Sequence, residues 1–568
     1  MPRAAMFRGI LTACSSKTLD LVLTAALLAL SLNLTFVSGE RGFFPFDQSI
    51  VFDGSYRVLS GQVPYKDFFA PWGPVVFWLH AIFFRLFGIN YFSYILGAAV
   101  VNVLSTLCSI LMLKLLFPRS RFLPYIAGLL TAVWFYPPSG TPWPEQTSFF
   151  FTFVATTTLL YSVLSRDPSA IRDSSLSFIA GGFALLSFLS KQNSGSFILP
   201  LYVFIFVMAY MPNWRRIVRS CAVFLAGFLL GAAMFFLWVW LNADVKTFLE
   251  YFVELSSGVG ASRLSRDWLG LLVAFFVGGD LTSSVSLSFA RIFLAAMLAI
   301  ASFALVGCFR GSEKARGTRR RELLASTMCI YLILCQNLFI LSTGNEAENG
   351  FPFIGVISAI GTGLSWRLVD IAVVGYKPML RSRSILSLGL PIGVTLSALA
   401  ILALGGRVLM NRTVQDAFKG STFPQYSSIS GLERLRWGQP TIIRAATVKE
   451  DDVKNVIEYL GRRNKNFFIF PDFTVFYALL KVRSPQPVLW FHKGLTYPTT
   501  YSPDLDRRII DDLVKNEVEI IVLEEDSWFS TYGRLNDFPQ LQSYISKGFD
   551  KAEQIGLFSI YEKRNHEQ

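Results

Sequence analysis

Roughly eleven apolar runs, most of them near the length of about 20 residues that a bilayer crossing requires, set the frame for this chain. They fall at 18–38, 91–117, 122–136, 146–164, 175–190, 196–211, 219–241, 287–309, 323–342, 351–375 and 385–406. Hydrocarbon offers no partner for backbone N–H and C=O groups, so each run must satisfy them internally as a helix. Composition agrees: 52% of residues are hydrophobic and only 16% are charged, where a soluble domain carries about a quarter charged. The expected fold is mainly α, a polytopic membrane helix bundle of about 11 spans.

The loops between runs alternate in charge. One set carries Arg119 and Arg121; Arg166 and Arg172; Arg215, Arg216 and Arg219; Arg310, Lys314, Arg316 and Arg319 to Arg321; and Lys377, Arg381 and Arg383. The other includes 137–146 and 342–350, which contain no lysine or arginine. Basic loops stay on the cytoplasmic side, so residues 1–17 read as a cytoplasmic tail. An odd number of spans then puts everything after residue 408 on the outer side. The formal charge of +13 belongs to the membrane half. It fits cytoplasmic loops and gives no reason to invoke nucleic acid.

Loop 39–90 is the first outward segment. It holds two apolar stretches, about 47–60 and 72–87, which read as helices lying on the outer membrane surface. From 409 the pattern changes. Strand-like runs at 466–470, 486–491, 518–524 and 556–562 alternate with helical segments at 451–463, 503–515 and 537–547. That alternation predicts an extracytoplasmic α/β domain, 409–568, with a largely parallel sheet. Six cysteines without a CxxC pair give no disulfide framework or thiolate zinc site. Three histidines exclude a His-rich metal site.

Carboxylates near a bilayer are costly, and outward cations oppose the positive-inside trend, so both mark candidate chemistry. Asp47 precedes a predicted helix and reads either as its N-cap or as a general base facing an incoming hydroxyl. Asp53 and Arg57 stand at i,i+4, the spacing of a helical ion pair. Asp67 sits in a proline-stiffened loop, 64–74, as a solvated acid or as a second acid near Asp47. Glu145 lies at the outer end of a span. Lys191 lies at the outer end of another and calls for an anionic partner, a lipid phosphate or the membrane surface itself. Arg263 and Arg266 are further phosphate candidates. Glu346 and Glu348 suit a sugar hydroxyl, a metal or a plain turn. Arg367 and Asp370 read as a structural pair at i,i+3. Acids beside phosphate-binding cations suit transfer of a sugar from a lipid phosphate to an alcohol.

The first outer loop resembles the GT-C glycosyltransferases, in particular bacterial relatives of the protein O-mannosyltransferases and of the lipid A aminoarabinose transferase. The similarity rests on Asp47, then Gly61, Pro64, Tyr65 and Asp67, then Gly73 and Pro74, then Leu86, Phe87 and Gly88. Glu145 and the pair Lys191, Gln192 add to it. The chain departs from those relatives where Gln48 follows Asp47 in place of a second acid, and where Ala70, Pro71 and Trp72 replace a lysine-bearing segment.

The resemblance implies a bacterial inner-membrane enzyme with a polyprenyl-phosphate sugar donor, an inverting transfer, and a glycan, lipid or protein acceptor. It implies Asp47 as base, with Asp67 and Glu145 shaping the site. Lys191, with Arg57 and the two arginines at 263 and 266, would bind donor phosphate. It leaves a divalent metal open, with Asp47, Asp67, Glu346 and Glu348 as its candidate ligands. The competing readings are a polysaccharide polymerase or ligase, and a transporter or flippase of lipid-linked sugars.

Overall fold

The computed structural model describes residues 16–43, 45–165, 169–264, 285–310, 316–343, 351–375, 384–411, 422–438, 448–525 and 534–564. Each of the eleven apolar runs is a helix. In chain order the helices are α1 Ser16–Gly39, α2 Pro45–Leu59, α3 Val75–Phe87, α4 Tyr91–Leu116, α5 Leu123–Trp134, α6 Pro144–Leu164, α7 Ala170–Ser190, α8 Gln192–Tyr210 and α9 Trp214–Asn242. A short α10 (Val245–Phe248), a π-helical turn Leu249–Leu255 and α11 (Ser256–Leu264) follow, then α12 Val285–Arg310, α13 Arg316–Thr343, α14 Ile354–Gly375 and α15 Ser384–Asn411. Among the described residues eight helices are long and apolar enough to cross a membrane. At 12 residues α5 is too short to do so as a straight helix.

Inside the bundle, packing relies on small residues and buried amides, because lipid gives helices no hydrophobic reason to associate. Helices α7 and α9 cross where Gly181 faces the Phe224 carbonyl and Gly227 faces the Phe178 carbonyl; a Cβ at either position would collide with that oxygen. The buried Asn102 side chain on α4 donates to the Ser31 carbonyl (3.2 Å), the Thr35 hydroxyl (2.9 Å) and the Ala132 carbonyl (3.1 Å), joining α1, α4 and α5.

The C-terminal domain comprises α16 Glu450–Arg463, β1 Phe467–Phe470, α17 Val475–Leu480, α18 Pro503–Lys515, β2 Ile520–Glu524, α19 Pro539–Gly548, β3 Phe549–Ile555 and β4 Phe558–Lys563. Its sheet has the order β1-β2-β4-β3. Only β1 and β2 are parallel; β4 runs antiparallel to both of its neighbours. The sheet is therefore mixed rather than largely parallel. Residues 486–491 are not one of its strands. They run extended against the first loop, where Val488 bridges Phe69.

Helices α2 and α3 do form, but α2 does not lie on a surface. Residues Ile50 to Arg57 are all buried, and one apolar cluster runs from Phe52, Phe77 and Tyr94 through Phe476, Tyr477 and Trp490 into Ile520. The C-terminal domain rests on α2 and α3 as on a platform. The linker is fastened at the end of α1, where Arg436 N donates to the Glu40 carbonyl (2.6 Å) and Gly42 N to the Arg436 carbonyl (2.8 Å).

Asp53 and Arg57 make the expected helical pair, Nε to Oδ2 at 2.7 Å, with both side chains fully buried. Arg57 Nη1 also donates to the Gln486 carbonyl (2.6 Å), and the guanidinium stands over Phe68 (5.5 Å) and Tyr477 (5.7 Å). The pair thus locks α2 to the domain above it. Breaking a buried pair by removing one partner costs about 3–5 kcal/mol, while replacing both with apolar residues is often neutral. Arg57→Ala should lower the thermal unfolding midpoint of the detergent-purified protein, and the Asp53→Leu, Arg57→Met double variant should recover most of it. An unchanged midpoint in Arg57→Ala would contradict the lock. Burial also pushes the Asp53 carboxyl up to about 6 against the opposing pull of Arg57. The folded state then holds a proton that the unfolded chain releases near 3.8. The Asp53 contribution to stability should therefore fall as pH rises between those values, a slope absent from Asp53→Asn.

Candidate active site

The loop between α2 and α3 is shaped by its own hydrogen bonds. Gly61 and Tyr65 take positive φ, 86° and 64°. Tyr65 N donates to the Phe68 carbonyl at 2.6 Å, and the buried Tyr65 hydroxyl to the Trp72 carbonyl at 2.6 Å. Asp67 closes the turn, with Oδ2 accepting from Val63 N at 2.7 Å, while Oδ1 pairs with Arg483 of the C-terminal domain at 3.1 Å. Phe69 N donates to the Pro487 carbonyl (2.9 Å), and Phe69 stacks on Tyr251 (3.8 Å). Gly73 lies so close to the Leu189 carbonyl, at the end of α7, that a Cβ there would overlap it.

These constraints hold the Trp72 ring between two partners. Trp490 packs on it from the C-terminal domain, ring centroids 4.8 Å apart. The Lys191 ammonium stands 5.3 Å from its centroid, a distance at which the ring face attracts a cation. Lys191 is the extended residue between α7 and α8. Its Nζ donates to Glu145 Oε1 at 2.8 Å. Glu145, 3% exposed, sits in the first turn of α6, where the helix dipole favours a negative charge. Its second oxygen, Oε2, is buried and has no hydrogen-bond partner; the same is true of the indole N–H groups of Trp72, Trp143 and Trp490.

Neighbouring residues fix this centre. Gln192 Nε2 donates to the carbonyls of Pro71 (2.9 Å) and Phe252 (2.8 Å). Asn193 Nδ2 donates to Ser342 Oγ (2.8 Å), near the end of α13. Beneath Glu145, the hydroxyls of Ser148, Thr152, Ser187 and Ser194 form a chain, with Ser148 to Ser187 at 2.9 Å. Gln48, next to Asp47, reaches the Thr141 hydroxyl at 3.4 Å, tying the start of α2 to the loop that leads into Glu145. An apolar groove of about 560 Å³ runs between α3, α7 and α9, lined by Trp78, Phe183, Leu186, Leu189, Met234 and Trp238. Its lining includes Leu189, two residues before Lys191 in the chain, but not Lys191 itself.

The family profile described as dolichyl-phosphate-mannose-protein mannosyltransferase matches residues 70–240, from the loop carrying Trp72 to the end of α9. No curated protein sequence matches the chain. Among solved structures, ArnT from Cupriavidus metallidurans bound to undecaprenyl phosphate superposes with a TM-score of 0.52 at 12% identity, over 96% of this chain and 98% of that one. The Archaeoglobus fulgidus oligosaccharyltransferase, tethered to an acceptor peptide, superposes with a TM-score of 0.51 at 13% identity, over 97% of this chain and 74% of that one. The fold is that of the GT-C glycosyltransferases.

Within this GT-C fold, the structure brings together Glu145 and Lys191 and commits Arg57 and Asp67 to other partners. Arg57, expected at a donor phosphate, is instead fully buried on Asp53 and Gln486, because α2 is covered by the C-terminal domain. Asp67 is drawn into its turn and onto Arg483. The side chains of Asp47 and Arg263 lie outside the described residues, as do Arg266, Glu346 and Glu348; the α2 backbone that carries Asp47 is described. Among the described residues no cluster of three or more His, Cys, Asp or Glu side chains could hold a metal ion. Trp490 lies in the run 486–491 predicted as a strand; its packing on Trp72 instead makes it part of the centre. Arg367 pairs with Glu322 at 2.5 Å; the Asp370 side chain, its expected partner, lies outside the described residues.

Lys191 and Glu145 should be energetically coupled. Lys191→Met strands a buried carboxylate and should destabilise the protein by about 3 kcal/mol, whereas Glu145→Gln combined with Lys191→Met should cost less than the single Lys191→Met change. A double-mutant cycle on the unfolding midpoint measures this. Strictly additive effects would show that the two charges do not sense each other.

Proposed function

We propose that this chain transfers a sugar from a polyprenyl-phosphate donor to a hydroxyl of an acceptor, with inversion, at the membrane face that carries the C-terminal domain. The observation that carries this reading is Lys191: a cation held between an aromatic face and a buried carboxylate that has one oxygen unpartnered. A lipid phosphate needs a cation at its head and an apolar channel for its tail; in this reading Lys191 takes the head, and the groove lined by Leu189, two residues earlier in the chain, takes the tail. That a protein of the same fold, ArnT, was solved with undecaprenyl phosphate supports the choice of donor class.

In this reading the acceptor oxygen attacks the anomeric carbon while the Asp47 carboxylate takes its proton. The bond from that carbon to the phosphate oxygen breaks, and the phosphate leaves with the electron pair. Lys191 stabilises the developing charge on it. Glu145 positions Lys191, and the free indole N–H groups of Trp72, Trp143 and Trp490 supply donors for sugar or phosphate oxygens. Arg263, Arg266, Glu346 and Glu348, from the loops around the same face, remain candidates for donor and acceptor contacts. Arg57 and Asp67 hold the loop in place and take no chemical role. The setting is a bacterial inner membrane with the N-terminus in the cytoplasm, in keeping with the alternating basic loops.

Asp47→Asn should abolish transfer, a fall of at least about 10²-fold for loss of a general base, with membrane insertion unchanged. The readout is mass spectrometry of lipid-linked sugars, which should accumulate both in cells carrying the variant and on deletion. Full activity in Asp47→Asn would remove this residue from the mechanism. Unchanged lipid-linked sugars on deletion would remove the donor class.

A further inference from the structure

Another apolar cavity lies at the other end of the bundle, among the basic loops, and the reaction above leaves it unused. It encloses about 910 Å³ between α1, the 117–122 turn, the start of α5, the start of α13 and the end of α14. Leu27, Leu116, Ile126 and Leu129 form apolar walls. Arg119, Arg321, Glu322 and Arg367 also line it. Glu322 is already matched by Arg367 at 2.5 Å, and Arg321 is oriented by donating from Nε to the Leu115 carbonyl at 3.1 Å. Three guanidiniums against one carboxylate leave the lining net positive. The cavity opens past Phe122, 77% exposed, and Trp366, 45% exposed.

Two kinds of occupant fail on this geometry. A soluble anion would use the guanidiniums but gain nothing from the leucine walls. A bare acyl chain would fill the walls but make no use of the guanidiniums. An amphiphile with an anionic head satisfies both. The positive-inside rule puts this end in the cytoplasmic leaflet, where bulk phospholipids surround it and a surface-bound cation gains about 1 kcal/mol from anionic lipid. We infer that the cavity is a binding site for an anionic phospholipid, its headgroup phosphate on Arg119 and Arg321 and an acyl chain along α1 and α5. This site shares no lining residue with the groove between α3, α7 and α9, and it stands whether or not the proposed reaction does.

The test is native mass spectrometry of the full-length protein, released from micelles with defined amounts of phosphatidylglycerol, phosphatidylcholine or undecaprenyl phosphate. The expected result is preferential retention of phosphatidylglycerol over phosphatidylcholine. Retention should drop about fivefold in Arg119→Gln, the loss of one basic residue at an anionic headgroup. A cavity-filling Leu129→Trp should reduce retention of the same lipid. Arg119 is exposed at a turn, so its replacement tests the site even if the core variant does not fold. Equal retention of the two phospholipids, no effect of Arg119→Gln, or displacement of phosphatidylglycerol by undecaprenyl phosphate at lower concentration would each overturn the assignment.

Discussion

The site depends on one ion pair held under an aromatic lid: Lys191 against Glu145, with Trp72 above and Trp490 above that. Each member comes from a different part of the chain. Glu145 opens α6, Lys191 separates α7 from α8, Trp72 belongs to the first loop and Trp490 to the C-terminal domain. Such a pair is costly to desolvate and gains only when its geometry is fixed and its remaining donors and acceptors find partners. Here part of that capacity is left open, at Glu145 Oε2 and at three indole N–H groups. Unfilled polar capacity in an otherwise close-packed centre is what a polar substrate would occupy.

The C-terminal domain matters to this centre because it holds the loop. Arg57 to Gln486, Asp67 to Arg483 and Phe69 to Pro487 are three links from the end of α2 and the loop after it to residues 483–487. Two residues that sequence reasoning placed in the chemistry, Arg57 and Asp67, are spent on these links. The result is a rigid support for Trp72, and precise sites need such support from residues that themselves do no chemistry.

The membrane architecture was legible because hydropathy is a local property: a run of apolar residues announces a helix whatever it packs against. The α7–α8 boundary was legible on one side: the predicted end at 190 matches α7, while α8 starts at Gln192 rather than 196, because the polar residues 192–196 carry no hydropathy signal. The sheet was misjudged for physical reasons. Strand β3, Phe549–Ile555, buries only its two end residues and carries no apolar signature. The 486–491 segment has one, but it serves contact with Trp72 and Phe69 rather than a ladder. The Asp53–Arg57 pair could be read from its i,i+4 spacing. That Lys191 meets Glu145, 46 residues away, could not, because nothing in one sequence reports contact between helices.

The most direct measurement is an experimental structure of the full-length protein with a polyprenyl phosphate bound. The account predicts the phosphate in hydrogen-bond contact with Lys191 Nζ and the prenyl chain in the groove between α7 and α9. A phosphate bound elsewhere, with the Lys191–Glu145 pair and its groove left untouched, would contradict it.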